Sequence, residues 1–297
     1  MKKNSLAIFA NFFIDNEERL LRMKDSFNSF KGAEPDQWIV NIRGRFKHEA
    51  SNFLKQELGE KLSLFNLQSR RGWFQDSIYI SKNISSDYVL FWIEDHILIN
   101  TLDNLKNCII EMREFKVDHL IYSFFQNDLL ERFKIEPIKI GNHIKVQKLD
   151  NKNCEKIRKI IGEFYTVSCV SIMKQEFFKK ILLSPKPYLK RWPRGLPFDF
   201  EKLSKDKVAD EILQAIPNEE LFAAIDDDHD QSGYSLISRG LYPDRISRDF
   251  LKNIEFNYSV NQRAKIKNLF PKIIRPFFFK IFRYFRNLFY TLNLFHN

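Results

Sequence analysis

Along the first half of the chain, apolar and polar positions alternate between two patterns. Leu6–Phe13 is an almost unbroken apolar run, which predicts a strand covered on both faces. Glu17–Phe30 then interleaves charges with Leu20, Leu21, Met23 and Phe27, the spacing of an amphipathic helix. The alternation continues with a strand over Gln37–Ile42, a helix over Arg45–Leu58, a strand over Leu62–Leu67 and a helix over Gly72–Asn83. Tyr88–Ile93 predicts another buried strand, Leu102–Glu114 a helix and His119–Phe124 a strand. Such alternation builds βαβ units, so the expected fold is α/β, a mostly parallel sheet with helices on both faces.

The second half is less regular. Lys145–Leu149 and Tyr165–Ile172 predict strands and Gln175–Leu183 a helix, while Pro185, Pro187, Pro193 and Pro197 make Ser184–Pro197 a loop. Phe200–Gln214 predicts a helix, Glu220–Ile225 a strand or helix, and Asp226–Asp230 an acidic loop. No internal repeat or low-complexity linker interrupts the chain before residue 261. One domain over 1–260 with an appended tail over 261–297 is expected.

Composition refines this picture. Hydrophobic residues make up 44% of the chain, enough for a substantial core. Thirty Phe against nine Gly predict a dense interior with few glycine-built loops. The net charge of +10 is unevenly spread, because residues 261–297 carry eight basic residues and no acid. There Lys280, Arg283 and Arg286 recur opposite Phe277, Phe278, Ile281, Phe282, Tyr284, Phe285, Leu288 and Phe289, predicting an amphipathic helix. A basic, aromatic helix of this kind suits the plane of an anionic membrane surface. Its contiguous apolar face, unlike separate stacking platforms, argues against nucleic acid.

Nothing approaches the roughly eighteen uncharged apolar residues of a membrane span. The opening MKKNSLAIFANFF is interrupted by Asn11 and followed by Asp15, Glu17 and Glu18, so it predicts a first strand rather than a secretion signal. Cys108, Cys154 and Cys169 are odd in number and far apart, which argues against a disulfide framework or a zinc site and fits a cytoplasmic setting.

Candidate chemistry begins where Tyr88–Ile93 runs into Glu94, Asp95 and His96. Carboxylates at the carboxyl end of a central strand sit where open α/β sheets bind ligands. Hard divalent cations take such oxygens together with substrate phosphates. The structural alternative is a solvated loop after a core strand, with His96 either orienting Asp95 or only ending the strand.

Four segments carry a family likeness: LAIFANFF, QWIVNIRG, the stretch Ser69-Arg70-Arg71-Gly72-Trp73-Phe74-Gln75-Asp76-Ser77, and Ile93-Glu94-Asp95-His96. In order and layout, roughly across residues 5–225, they resemble the GT-A glycosyltransferases, nucleotide-sugar-dependent enzymes of Rossmann-like fold, in a family-2-like, bacterial surface polysaccharide form. The resemblance implies a donor site drawn from Asn11, Asn41, Arg43, Arg70, Arg71, Gly72, Glu94 and Asp95. It implies a divalent cation, Mn²⁺ or Mg²⁺, held by Asp95 and completed by a late histidine, for which His229 stands in the acidic loop. It also implies a general base at the start of a downstream helix, Asp199 or Glu201; Asp199 equally suits a helix cap. This chain departs from the pattern in two places. Asn41 and Arg43 stand where the family carries a base-touching Asp, and the acidic motif is Glu-Asp-His rather than Asp-x-Asp.

The partners so implied are a nucleotide sugar and a glycan or lipid-linked acceptor, with the enzyme peripheral on the inner face of the cell membrane. Positive groups must meet the departing diphosphate, a cation or arginines such as Arg70, Arg71, Arg239 and Arg245. A sugar-phosphate nucleotidyltransferase would carry a Gly-rich basic loop after the first strand, and ANFFIDNEE has none. A non-catalytic, membrane-associated adaptor of the same fold is the other alternative.

Overall fold

The computed structural model describes residues 5–69, 72–123, 135–161, 167–183, 200, 211–226 and 235–243. The chain runs β1 (Leu6–Phe13), α1 (Glu17–Phe30), β2 (Gln37–Arg43), α2 (Lys47–Leu58), β3 (Leu62–Phe65), α3 (Trp73–Ser81), β4 (Tyr88–Phe91) and β5 (His96–Leu98). It continues through α4 (Leu102–Glu114), β6 (His119–Ile121), β7 (Lys139–Ile140), β8 (Ile144–Leu149), α5 (Asn151–Ile161), β9 (Ser171–Lys174), α6 (Gln175–Leu183), β10 (Ile212–Pro217) and β11 (Phe222–Ala224). Local chemistry sets the helix starts. Asn16 caps α1 by accepting from the Arg19 amide at 2.8 Å, and Glu17 and Glu18 face the positive end of its dipole. Thr101 caps α4 in the same way through the Asn104 amide.

The nine strands of the main sheet lie in the order β3-β2-β1-β4-β9-β6-β10-β8-β7, and β5 pairs with β11 in a small second sheet. Among the described residues, only β8 and β9 run against the other strands, so the sheet is mostly parallel and Rossmann-like. Period-two alternation sorts each strand between two cores. Leu6, Ile8, Ala10 and Phe12 pack with α1, α2 and α4 on one face. Ala7 and Phe9 pack with α3, α5 and α6 on the other. The many phenylalanines are used here: Phe9 meets Phe178 edge-on at 4.8 Å, and Phe30 stacks on Trp38 at 5.6 Å. Each such ring contributes roughly 1.5–3 kcal/mol when fully buried.

Three expectations change. Tyr165–Ile172 is not one strand: Val167–Val170 is irregular, and β9 begins at Ser171. Hydroxyl bonds explain the delay, since Ser168 Oγ accepts from the Val170 amide at 3.1 Å and Ser171 Oγ donates to the Ser168 carbonyl at 2.6 Å. Residues 212–214, expected to close a helix, are strand β10, whose pairing with β6 and β8 overrides local preference. The elements β5, β7 and α5 were not foreseen. The proline-rich segment 184–197 and the tail 261–297 lie outside the described residues. Among those residues, no helix is long and apolar enough to cross a membrane, and the three cysteines are buried and form no disulfide.

A polar ladder crosses the sheet where β6, β10 and β8 meet. His119, Gln214 and Gln147 are register partners on successive strands, all buried. Gln147 Nε2 donates to Gln214 Oε1 at 2.8 Å, Gln214 Nε2 donates to His119 Nδ1 at 3.2 Å, and His119 Nε2 donates to the Ser168 carbonyl at 3.3 Å. The chain of donors requires a neutral imidazole. Burial pushes the His119 pKa down to about 4, against a smaller upward pull from the Ser168 carbonyl. An unfolded chain protonates this ring near its ordinary value of about 6.5. Its contribution to stability is therefore fully present above that pH and is lost as pH falls toward about 4. We expect roughly 1.4 kcal/mol of stability lost per pH unit across this window from this group. Urea unfolding at pH 7 and pH 5 checks it, and His119→Gln should flatten that part of the slope.

Candidate functional site

The path of the chain through the sheet marks one edge. From β1 it moves outward to β2 and β3, then returns to lay β4 on the other side of β1. In open α/β sheets ligands bind at such a reversal, outside the carboxyl ends of the strands. Here those ends deliver Phe13 from β1, Arg43 from β2, and Glu94, Asp95 and His96 just beyond β4. Phe13 and Arg43 are register partners, and the Arg43 guanidinium lies 6.0 Å from the Phe13 ring centre. Gly44 lets the neighbouring loops close. Its φ of +101° suits glycine, and a Cβ there would lie 2.3 Å from the Ile14 carbonyl oxygen. That carbonyl accepts from the Phe46 amide, and the Ile14 amide donates to Arg43 O at 2.8 Å.

Glu94 and Asp95 occupy a turn between β4 and β5, half-buried, while His96 begins β5. Asp95 Oδ1 meets His96 Nδ1 at 2.7 Å, so His96 does orient Asp95. The two carboxylates are driven apart. Burial and the neighbouring Asp95 charge raise the Glu94 pKa, and Arg19 only partly offsets them. Burial also works to raise Asp95, but the charge and hydrogen bond of His96, with Arg22 beyond, outweigh it and hold Asp95 below its usual value. The pair is thus split, Asp95 pulled down by His96 and Glu94 pushed up by burial and by Asp95.

A polar stripe on α1 backs this turn. Glu18, Arg22 and Ser26, spaced four apart, are all buried. Arg22 Nε binds Glu18 Oε1 at 2.9 Å, and Arg22 Nη1 pairs with Asp226 just after β11. Burial lowers the Arg22 pKa, yet the bonds to Asp226 and Glu18 win and raise it. Ser26 Oγ donates to the His96 carbonyl and accepts from Trp92 Nε1 at 2.9 Å. From the other side, the Ile225 amide donates to Asp95 O at 2.7 Å, and β11 pairs with β5. Arg239 clasps Glu220 with two bonds of 2.8 and 2.9 Å, and Tyr242 bonds Asp25. The backbone of Asp95 is thus clamped by elements more than a hundred positions apart in sequence.

Not every residue expected in a donor site faces outward. Asn11 and Asn41, register partners on β1 and β2, are buried and spend their amides on protein groups. Asn11 Nδ2 donates to the Trp73 carbonyl at 3.0 Å and to Ser77 Oγ at 2.8 Å, and Asn41 Nδ2 donates to Asn11 Oδ1 at 2.9 Å. Asn41 Oδ1 accepts from the Leu67 amide at 2.7 Å, and Trp73 Nε1 donates to the Asn11 carbonyl. Together they fasten the segment between β3 and α3 to the sheet edge. Gly72, at φ +77°, precedes the first turn of α3 and so sits in that segment. Arg43 is half-buried; burial lowers its pKa, opposed by the charges of Asp76 and Glu94.

The structure therefore gathers Arg43, Glu94 and Asp95 at one edge, with Asn11, Asn41 and Gly72 supporting it. Arg70, Arg71, Asp199, Glu201 and His229 lie outside the described residues. Asp226 departs from the expectation of a solvated acidic loop, because it holds Arg22. Sequence reasoning passed over Arg22, Ser26 and Asp76. Their signal was periodicity: Glu18, Arg22 and Ser26 follow a four-residue spacing, and Asp76 shares the buried face of α3 with Trp73, Ser77 and Ile80.

For a divalent cation, no group of three or more His, Cys, Asp or Glu comes together among the described residues. At the turn after β4 they supply the adjacent carboxyl groups of Glu94 and Asp95, the latter about one-third exposed. That donor set fits a cation carried in with a diphosphate better than one held by a protein cage.

No family model matches the chain, and no curated protein sequence matches it. Solved structures similar to it include Staphylococcus aureus TarS residues 1–349, at 10% identity and TM-score 0.43, covering 74% of this chain and 60% of that one. The same fragment in complex with UDP matches at 10% identity and TM-score 0.41, over 73% of this chain and 59% of that one. A longer S. aureus TarS structure matches at 12% identity and TM-score 0.43, over 74% of this chain and 36% of that one. The chain spans about 60% of the length of the TarS 1–349 structure.

Proposed function

We propose that the protein is a glycosyltransferase of GT-A type, binding a nucleotide sugar at the carboxyl ends of β1, β2 and β4. The observation that carries this reading is Asp95 at the reversal point of the sheet, its side chain fixed by His96 at 2.7 Å and its backbone by the Ile225 amide, with Glu94 beside it. Glycosyl transfer moves negative charge onto the departing diphosphate, and preorganised partners for that charge lower the barrier. Asp95 would hold a divalent cation brought with the diphosphate, and the cation supplies the positive charge that the leaving group needs. His96 and the β11 strand fix the Asp95 side chain and backbone, so no reorganisation is needed during the step. Arg43 adds a cation at the same edge, and half-exposed Phe13 offers a flat face beside it.

The finer reading adds a general base, Asp199 or Glu201, which deprotonates the acceptor hydroxyl. The acceptor is a lipid-linked or surface-polysaccharide glycan, reached from an anionic membrane surface to which the basic, aromatic residues 261–297 hold the enzyme. Melting curves of the full chain with nucleoside diphosphates and their sugars, with and without Mn²⁺, test the core of this reading. We expect at least one nucleotide to raise the melting temperature, more strongly with the cation. No shift with any of them removes the donor site.

A further inference from the structure

One hydroxyl spans the turn that carries Glu94 and Asp95. Trp92 Nε1, just before the acids, donates to Ser26 Oγ at 2.9 Å, and Ser26 Oγ donates to the carbonyl of His96, just after them. Ser26 is fully buried on α1, 66 and 70 positions away from these partners in sequence. Both ends of the crosspiece are firmly seated. Trp92 packs among Phe12, Phe27, Phe30 and Trp38, with ring centres 4.7–6.0 Å apart. His96 opens β5, which pairs with β11 along one edge. Along the other, Ser29 Oγ accepts from the Leu98 amide at 2.9 Å. Two serine hydroxyls of α1 thus edge β5 where a neighbouring strand would otherwise lie. A helical serine ordinarily bonds back to a carbonyl of its own preceding turn, as Ser29 Oγ does to the Ser26 carbonyl at 2.6 Å. Ser26 instead donates its one proton to His96.

We propose that Ser26 is a positioning residue for Asp95, setting the aim of that carboxylate toward a divalent cation. It acts through His96: the hydroxyl fixes the His96 backbone, and the His96 ring meets Asp95 Oδ1 at 2.7 Å. Asp95 is about one-third exposed and can meet a ligand, whereas Ser26 is sealed behind it. The inference rests on the donor site proposed above and names what aims its cation-facing acid. Removing the hydroxyl leaves Trp92 Nε1 and the His96 carbonyl without this partner, and a rotation of His96 carries the Asp95 carboxylate with it. Groups that orient a metal ligand typically change metal affinity by about 10–100-fold when they are lost.

Calorimetric titration of the full chain with pyrophosphate, once with Mn²⁺ and once with EDTA, tests the assignment without choosing a nucleoside. The wild type should bind pyrophosphate more tightly with the cation. Ser26→Ala should cut the affinity measured with Mn²⁺ by about tenfold or more, leaving the affinity in EDTA unchanged. Ser29→Ala is the control. It loses a hydrogen bond from the same helix to the same strand, so its melting temperature should fall, but its response to Mn²⁺ should match the wild type. If Ser26→Ala does not fold, Ser26→Cys, a weak donor of similar reach, is read in its place. A wild-type response to Mn²⁺ in the Ser26 variant, or an equal loss in Ser29→Ala, overturns the proposal and leaves the donor site standing. No gain from Mn²⁺ in the wild type removes the cation from the donor site, and this assignment falls with it.

Discussion

Replacing Asp95 with Asn should lower donor-sugar hydrolysis and transfer by roughly 10²–10³-fold, the usual loss when a preorganised charge-stabilising group is removed from a reacting centre. The isostere keeps the shape of the turn and the backbone bond from Ile225, so the fold should survive. Glu94→Gln provides the contrast. Burial and Asp95 push the Glu94 pKa up, so a neutral amide disturbs this position less than it disturbs Asp95. Its activity should stay well above that of Asp95→Asn. Steady-state hydrolysis of the nucleotide sugar by the three proteins, with melting temperatures as the folding control, decides the matter. Equal rates in wild type and Asp95→Asn would remove Asp95 from the chemistry.

The second large effect falls on stability. Arg22 is buried between Glu18 and Asp226, and removing it strands two carboxylates in a poorly solvated place. Breaking a buried ion pair from one side costs about 3–5 kcal/mol, so Arg22→Met should lower the urea midpoint sharply. The double variant Arg22→Met, Glu18→Leu should recover part of the loss, because it removes one of the stranded charges. If Arg22→Met unfolds at the wild-type midpoint, the triad is not a structural support. Because Asp226 follows the strand that clamps Asp95, activity should fall with stability in the single variant.

The sequence revealed elements best where local chemistry decides them. Glu17–Phe30 and Gln175–Leu183 were placed to the residue, since an amphipathic stripe sets their extent and, in the first, Asn16 marks the start. The edge carrying Glu94 and Asp95 was legible for the same reason, as an apolar strand ending abruptly in acids. Placement that depends on distant partners was not. Nothing in Ser171–Lys174 shows that it inserts antiparallel between β4 and β6, and Ile212–Gln214 becomes a strand only through its neighbours. Polar residues misled in both directions. Asn11 and Asn41 looked like ligand groups yet bind the protein, because a side chain's free hydrogen bonds cannot be counted without its surroundings. Asp76 looked unremarkable in the stretch WFQDSIYI, although its helical position places it inward.

The pairing of β5 with β11 has a consequence for synthesis. Four strands of the main sheet, β3-β2-β1-β4, close among the first ninety-odd residues, through contacts that form early on a growing chain. The clamp on Asp95 waits for Phe222–Ala224 and for Asp226 to leave the ribosome. A nascent chain stopped short of that point carries every acid of the turn but lacks the strand that holds them. Competence therefore arrives late in translation, after much of the scaffold already exists.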